Sequence, residues 1–149
     1  MRGVVQRVSR AKVTVDGVVS GAIDDGILLL LGVGRRDDEA SADYMLNKTL
    51  NLRIFEDEEG RMNRSVLDTG GGLLVVSQFT LHGDVRKGFR PSFITAADPA
   101  EAERLYDYFL QIAKTRLANV AAGIFRTMMD VELVNDGPVT ILIDSEREF

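Results

Sequence analysis

The sequence predicts an α+β protein in which a mostly antiparallel curved sheet, or an open β-barrel, packs against two amphipathic helices. Three observations support this class. Segments typical of strands outnumber helical ones, short turns join many consecutive strands, and only two segments carry apolar residues at helical spacing. The chain has 149 residues, 45% of them hydrophobic, which suits one core, so we expect a single domain over residues 1–149.

The first part of the chain predicts a hairpin, a central strand and a helix. Val4–Val15 alternates loosely and ends at Asp16-Gly17, a two-residue turn signal that a second strand pattern follows. Ile27–Val33 is too short and too apolar to be anything but a strand buried on both faces. Apolar side chains then recur at helical spacing, which predicts a helix from about Asp37 to about Leu52.

The middle of the chain predicts shorter elements and then a buried strand. Leu52–Phe55 is typical of a strand, Asp57–Gly60 of a turn, and Arg61–Val66 of an irregular return. The glycines before residue 73 lack the lysine and the helix of a phosphate-binding loop, so we interpret them as a flexible turn. Leu73–Leu81 is then predicted to be a strand.

The last part predicts the second helix and two strands. Asp98-Pro99 followed by Glu101 is a strong helix start, with an acidic N-cap, proline at the first position and glutamate three residues after the cap. Met129–Leu133 alternates and predicts a half-buried strand, and a final strand covers residues 139–143. Asn135–Pro138, taken alone, predicts a turn between them.

The end of the Leu73–Leu81 strand concentrates polar side chains. On a strand, Gln78, Thr80 and His82 face one way and Ser77 the other, so the first three side chains suggest a small reactive site. The structural alternative is that these groups satisfy each other and the backbone at a strand end.

Composition excludes several classes of site. There is no cysteine and a single histidine, so disulfides, thiol catalysis and zinc sites of the usual ligands are excluded, and we expect no metal and no cofactor. The longest apolar run, residues 27–31, is too short to span a bilayer, and no signal-peptide pattern precedes it. We therefore expect a soluble cytoplasmic protein that does not contact a membrane.

Charge indicates only local contacts with a polyanion. A net charge of −5 argues against binding nucleic acid through the overall field. Two basic clusters nevertheless could each neutralise a few phosphates, or could be ordinary solvated surface. They are Arg2, Arg7, Arg10 and Lys12 near the start, and Arg86, Lys87 and Arg90, which alternate with Phe89 and Phe93 in a pattern suited to charge and stacking contacts with a nucleotide.

Two motifs in this order resemble the signature pair of the D-aminoacyl-tRNA deacylases. They are Ser77-Gln78-Phe79-Thr80-Leu81 and Asn135-Asp136-Gly137-Pro138-Val139-Thr140. The resemblance covers essentially the whole chain, and further matching segments are Met1-Arg2, Val4-Val5-Gln6-Arg7-Val8, Arg90-Pro91-Ser92-Phe93 and Leu105-Tyr106.

The resemblance implies an enzyme that hydrolyses the ester joining a D-amino acid, or mischarged glycine, to tRNA. It also implies a homodimer, in which a cis Gly137-Pro138 of one subunit enters the pocket of the other, and in which Arg7 helps to hold that motif. The catalytic residues it implies are Ser77, Gln78, Phe79 and Thr80, with Gln78 and backbone N–H groups near Phe79 and Thr80 forming an oxyanion site.

The sequence leaves two candidates for the nucleophile. Thr80 with His82 as its base is one possibility, and the other is water activated with the help of the tRNA 2′-hydroxyl, which the resemblance favours; His82 is then a loop residue peculiar to this chain. Two other function classes are an editing domain for L-aminoacyl-tRNA, which we expect to lack Gly137-Pro138, and a non-catalytic dimer that binds RNA or a small ligand.

Overall fold

The computed structural model describes all 149 residues, Met1 to Phe149. Eight strands, three α-helices and one 3₁₀-helix make up the fold. In chain order they are β1 (Arg2–Val15), β2 (Val18–Ile23), β3 (Gly26–Gly32), α1 (Glu39–Asn51), β4 (Phe55–Glu56), β5 (Met62–Arg64), α2 (Val66–Thr69), β6 (Gly72–Ser77), the 3₁₀-helix (Phe79–His82), α3 (Pro99–Arg116), β7 (Val120–Ala122) and β8 (Asp130–Asp144).

Strand β1 is the spine of the main sheet. It pairs antiparallel with β3 over residues 2–8 and with β2 over residues 11–15, and along its other edge it pairs antiparallel with β8. The predicted hairpin around Asp16-Gly17 is therefore confirmed. The prediction of a turn that separates two strands at Asn135–Pro138 is wrong, because β8 is one strand that pairs with β1 up to Asn135 and again from Thr140, and residues 136–139 leave the ladder only as a bulge.

The centre of the sheet is parallel. Strand β3 pairs parallel with β6, and β6 pairs parallel with β7, so the prediction of antiparallel pairing holds around β1 but not here. The sequence did not predict β7. Strands β2 and β7 close the sheet into a barrel with a seam: a Cβ on Gly21 would lie 2.6 Å from the carbonyl oxygen of Ala122, so only glycine allows this approach.

Two hydrophobic clusters fill the two sides of the sheet. The larger lies between the sheet and helices α1 and α3, and the smaller lies on the other face. Ile27, Leu29 and Leu31 of β3 belong to the larger cluster and Leu28 to the smaller, which confirms that this strand is buried on both faces. Burial of such side chains is the main stabilising contribution to a domain of this size. None of the helices has the length and apolar character needed to cross a membrane.

The helix predictions are confirmed, with one detail corrected. Asp38 caps α1, because its carboxylate accepts from the backbone N–H of Ser41. Helix α3 starts after Asp98 as predicted, but the Asp98 side chain makes no capping hydrogen bond. Glu101 instead pairs with Arg104 at 2.7 Å.

The segment between α1 and β6 is less regular than predicted. Of the predicted strand Leu52–Phe55, only Phe55 lies in a strand, β4, which pairs with Met62–Arg64, a segment that the sequence indicated as irregular. Ser65 caps the short helix α2 through its hydroxyl group. The predicted strand Leu73–Leu81 ends early, at Ser77, and the chain turns at once into the 3₁₀-helix.

Candidate active site

A cavity of about 570 Å³ opens where β6 ends. Its walls come from four places: the ends of β3 and β6, the turn into the 3₁₀-helix, the start of α3, and the segment that leads into β8. Ser77 and Gln78 form a polar end beside Phe79. Arg126 and Thr127 are the other polar wall residues, and most of the remaining wall is hydrophobic. A pocket of this size, apolar with a few polar groups at one end, is typical of a site for a small organic ligand.

The turn after β6 brings the polar groups together differently from a strand. The Gln78 backbone N–H donates to the Leu31 carbonyl at 2.8 Å, which fixes where the strand stops. The Gln78 side-chain amide donates to the Thr80 hydroxyl. Phe79 and Thr80 begin the 3₁₀-helix, and N–H groups at a helix start have no acceptor inside the helix. Thr80 is exposed and does not line the cavity.

His82 lies apart from these groups. A 3₁₀-helix does not place Gln78, Thr80 and His82 on a common face, so the prediction of a shared strand face is wrong. The imidazole is only 7% exposed, packed against Gly32 and Gly34, and its Nε2 has no hydrogen-bond partner. Burial lowers the pKa of His82 below its usual 6.5. The expectation of a loop residue is therefore corrected to a buried residue that closes the 3₁₀-helix.

Residues Asp136–Val139 form a bulge in β8, opposite Arg7 of β1. Asn135 closes the base of this bulge with its side chain. Its carbonyl oxygen accepts from the Val139 backbone N–H at 3.0 Å, and its amide donates to the Thr140 hydroxyl at 3.0 Å. A four-residue excursion can therefore leave the strand and return to it without breaking the ladder.

Arg7 anchors the bulge from below. The side chain is buried, and its Nε donates to the Asp136 carbonyl at 3.2 Å and pairs with the Asp136 carboxylate at 3.1 Å. Its Nη1 donates to the Ile54 carbonyl at 2.6 Å. The peptide bond between Gly137 and Pro138 is cis. Gly137 has a φ of +126°, and a Cβ there would lie 3.1 Å from Arg7 Nη2, so the position favours glycine.

The bulge does not reach the cavity of its own chain. Arg7 pairs with Ile27 of β3, and Ile27 pairs with Leu73, which lies four residues before Ser77 on β6. Four residues along the strands and three strand spacings across them separate the bulge from Ser77 by roughly 20 Å. Neither Arg7 nor Gly137-Pro138 lines the cavity.

The loop after the 3₁₀-helix starts at the rim of the cavity. Phe93 packs edge-on against Phe79, with ring centroids 5.0 Å apart. Among the basic residues predicted to contact a polyanion, Arg86 donates two hydrogen bonds of 2.9 and 2.6 Å to the Asp84 carboxylate. These bonds hold the pKa of Asp84 well below its usual range. Lys87 and Arg90 are exposed and take part in none of the ion pairs of the chain.

The other basic cluster is largely neutralised. Arg2 pairs with Glu148 at 2.7 Å and Lys12 with Glu132 at 2.9 Å, while Arg7 is committed to Asp136. Arg10 alone among them takes part in none of these pairs, so this cluster is not a free basic surface.

Sequence reasoning missed part of the cavity wall. Phe125 and Met129 line it from the segment before β8, and Tyr106, interpreted as core packing, forms another part of it while donating to the Val75 carbonyl at 2.9 Å. The sequence carries no signal for the wall residues before β8; in the structure the neighbouring Met128 is 92% exposed, which is unusual for a methionine on a plain surface. No three acidic or histidine side chains group in a way that could hold a metal ion.

Comparison with known proteins gives one family. Residues 4–144 match the family model described as D-Tyr-tRNA(Tyr) deacylase. Curated D-aminoacyl-tRNA deacylases from Koribacter versatilis and Symbiobacterium thermophilum are each 60% identical over 149 residues, covering 100% of this chain and 100% and 99% of theirs.

Solved structures have the same fold. A structure titled c-Myc DNA unwinding element binding protein is 44% identical, with a TM-score of 0.92 over 97% of this chain and 98% of its own. A probable eukaryotic D-amino acid tRNA deacylase is 17% identical, with a TM-score of 0.81 over 95% and 97% of the two chains, and supports the fold alone.

Proposed function

This chain belongs to the D-aminoacyl-tRNA deacylase family, and from that premise we propose that the cavity at the end of β6 is where it works. The activity is the hydrolytic removal of D-amino acids from tRNA. The observation that supports this assignment of the site is the turn after β6, because it puts Ser77, Gln78 and Phe79 in the wall of a cavity large enough for an aminoacylated nucleoside.

In the proposed reaction, water adds to the ester carbonyl and the bond to the ribose oxygen breaks, leaving a free amino acid and a ribose hydroxyl. Negative charge develops on the carbonyl oxygen in the transition state. The backbone N–H groups of Phe79 and Thr80, with the Gln78 amide, are the donors we assign to it, and one such donor contributes about 3 kcal/mol. Ser77 borders the same end of the cavity and is assigned to positioning the ester.

The nucleophile we propose is water, with the tRNA 2′-hydroxyl assisting its activation. The alternative of Thr80 with His82 as base has less support, because the Thr80 hydroxyl accepts from Gln78 and His82 is buried with an unpartnered Nε2. A general base must lie within hydrogen-bond reach of the proton that it removes.

A homodimer fits these geometric facts, and we propose it as the working form. Gly137-Pro138 is exposed on β8 and lies roughly 20 Å from the cavity of its own chain, so it can act only in the cavity of another copy. Strand β8 pairs with β1 alone, and its free edge carries Val134 and Leu142, which are 37% and 60% exposed. A long strand edge with unpaired backbone groups is normally protected from solvent or from other chains. A second copy of this chain, related by two-fold symmetry, would protect the edge of β8.

Within that dimer we assign chiral selection to Gly137-Pro138. A proline fixes its backbone, so the carbonyl groups around it can be aimed at the substrate ammonium while the chain occupies the space of an L side chain. Glycine, which has no side chain, passes the same filter, so mischarged glycine is a proposed second substrate. Arg7 is assigned to holding the filter in place. We further propose that the enzyme acts in the cytoplasm, and that Lys87 and Arg90, not Arg86, meet the tRNA.

The deciding experiment incubates the purified protein with D-tyrosyl-tRNA and with L-tyrosyl-tRNA and follows release of the amino acid. We expect release from the D form and little from the L form. Equal rates, or no release from the D form, would refute stereospecific hydrolysis. Light scattering on the same sample tests the dimer, which has twice the 16.4 kDa mass of the chain.

Replacing Pro138 with alanine tests the filter. Pro138→Ala is expected to narrow the ratio of D to L rates at least tenfold, because a clash of about 1.4 kcal/mol is already tenfold. The matched control is Glu132→Ala, on the same strand but outside the bulge, whose only ion pair is an exposed one with Lys12. If Pro138→Ala keeps the wild-type ratio, the filter is elsewhere.

A further inference from the structure

Phe89 is the most exposed large hydrophobic residue of the chain, at 106% of its reference area. It belongs to the segment 85–91, in which every residue is exposed. The backbone of Gly88, with φ of +71°, adopts the left-handed conformation just before it. An aromatic ring fully in water at a loop tip gains nothing for the fold, because it buries no area there.

The loop that carries Phe89 is braced at its neck. Asp84 and Ser92 exchange two backbone hydrogen bonds of 2.8 and 3.0 Å, so the segment between them leaves and rejoins the body at one place. Directly beyond this neck, Phe93 packs on Phe79, which lines the cavity. The neck therefore lies two side chains, Phe93 and Phe79, from the proposed active site, and the loop beyond the neck carries the exposed ring.

The charges around Phe89 favour a polyanion. Lys87 and Arg90 flank the ring and have no acidic partner, whereas Arg86 is neutralised by Asp84. The protein as a whole carries a net charge of −5, so any attraction to a polyanion must come from a local group of cations such as this one. An exposed aromatic ring between unpaired cations is the arrangement that binds single-stranded nucleic acid, with bases stacked on the ring and phosphates on the cations.

We propose that Phe89 is a stacking platform for an unpaired base near the 3′ end of the aminoacylated tRNA, with Lys87 and Arg90 holding the adjoining phosphates. The proposal rests on the proposed function, because the reacting ester is at that end of the tRNA. It differs from the sequence-based expectation in two respects: Phe93 is committed to Phe79, and Arg86 is committed to Asp84.

Two substrates separate this role from a structural one. D-tyrosyl-tRNA carries the neighbouring nucleotides, whereas adenosine esterified with D-tyrosine carries the same ester without them. Phe89→Ala is expected to raise KM for the tRNA about tenfold with kcat little changed, the size of one lost stacking contact, and to leave the adenosine ester unaffected. Val85→Ala, an exposed hydrophobic residue of the same loop, is the matched control and should behave as wild type. Equal KM values for Phe89→Ala and wild type on tRNA, or equal losses on both substrates, would overturn the proposal.

A spectroscopic test does not depend on catalysis. The chain has no tryptophan, so Phe89→Trp introduces a single one and keeps a stacking surface. Its emission should fall on addition of deacylated tRNA and recover as salt is raised. Emission that instead depends on protein concentration without RNA would assign the ring to contact with a second copy and overturn the proposal. If the wild type fails to hydrolyse D-tyrosyl-tRNA, the proposed function fails, and this titration still reports on stacking.

Discussion

Replacing Arg7 with alanine removes the guanidinium that ties the Asp136–Val139 bulge to the barrel. The Ile54 carbonyl loses its hydrogen bond of 2.6 Å, and no backbone N–H of the chain replaces it. An unpaired buried acceptor costs about 1–3 kcal/mol. The ion pair with Asp136 adds at most about 1 kcal/mol, because that carboxylate is 56% exposed. The expected loss of unfolding free energy is therefore about 3 kcal/mol.

Urea unfolding at a fixed protein concentration measures this loss. With a urea dependence of about 2 kcal/mol per molar, the midpoint of Arg7→Ala should lie roughly 1.5 M below wild type. Lys12→Ala is the matched control on the same strand. Its pair with Glu132 is exposed, with side chains 46% and 63% accessible, so its midpoint should hardly move.

A second readout separates anchoring from simple destabilisation. At a temperature where the variant is still folded, Arg7→Ala should also narrow the ratio of D to L rates, because the bulge has lost its support. Arg7→Lys keeps the positive charge but not the forked geometry of the guanidinium. Its ratio of D to L rates should therefore lie between those of the wild type and Arg7→Ala. An Arg7→Ala midpoint equal to that of Lys12→Ala, together with an unchanged D to L ratio, would refute the anchoring role.

Two further predictions concern buried polar groups. Tyr106→Phe should lower the free energy of unfolding by only about 1 kcal/mol, because the Val75 carbonyl keeps its hydrogen bond from the Gly123 N–H at 3.0 Å. A thermal melt should show this as a small fall in Tm, and a loss above about 3 kcal/mol would contradict the prediction. Burial lowers the pKa of His82 in the folded state, so the unfolded chain binds a proton more readily and stability should fall as the pH drops below about 6.5. Urea unfolding of wild type and His82→Asn at pH 7.5 and 5 checks this, and equal falls in the two proteins would show that another group is responsible.

The sequence predicted the elements whose pattern is local and missed those that depend on partners. The central strand, the first hairpin and both long helices were correct because each has its own periodicity and end signals. Val120–Ala122 has only three residues, and it is a strand because β6 lies beside it. Leu73–Leu81 has strand character throughout, but β3 ends at Gly32 and β7 at Ala122, so beyond Ser77 no neighbour continues the ladder.

The candidate site was predicted in part. Ser77, Gln78 and Phe79 do line one cavity, because they are contiguous and end a buried strand. Phe125 and Met129 could not be found, since their approach to the cavity depends on how the chain returns after β7. Asn135–Pro138 carries strong turn residues, and what keeps β8 continuous is a pair of side-chain bonds from Asn135 that no local pattern specifies.

The long pairing of β1 with β8 has a consequence for when the protein becomes competent. Residues 2–14 find their partners in residues 130–144, so this ladder closes nearly the largest loop the chain allows. Contacts between residues so far apart in the sequence form slowly, because the chain must lose conformational entropy before the contacts begin to stabilise it. During synthesis β1 can pair with β8 only after nearly the whole chain has been made. The bulge that carries Gly137-Pro138 takes shape only on that ladder, so a newly made chain acquires its proposed stereochemical filter in the final stage of folding.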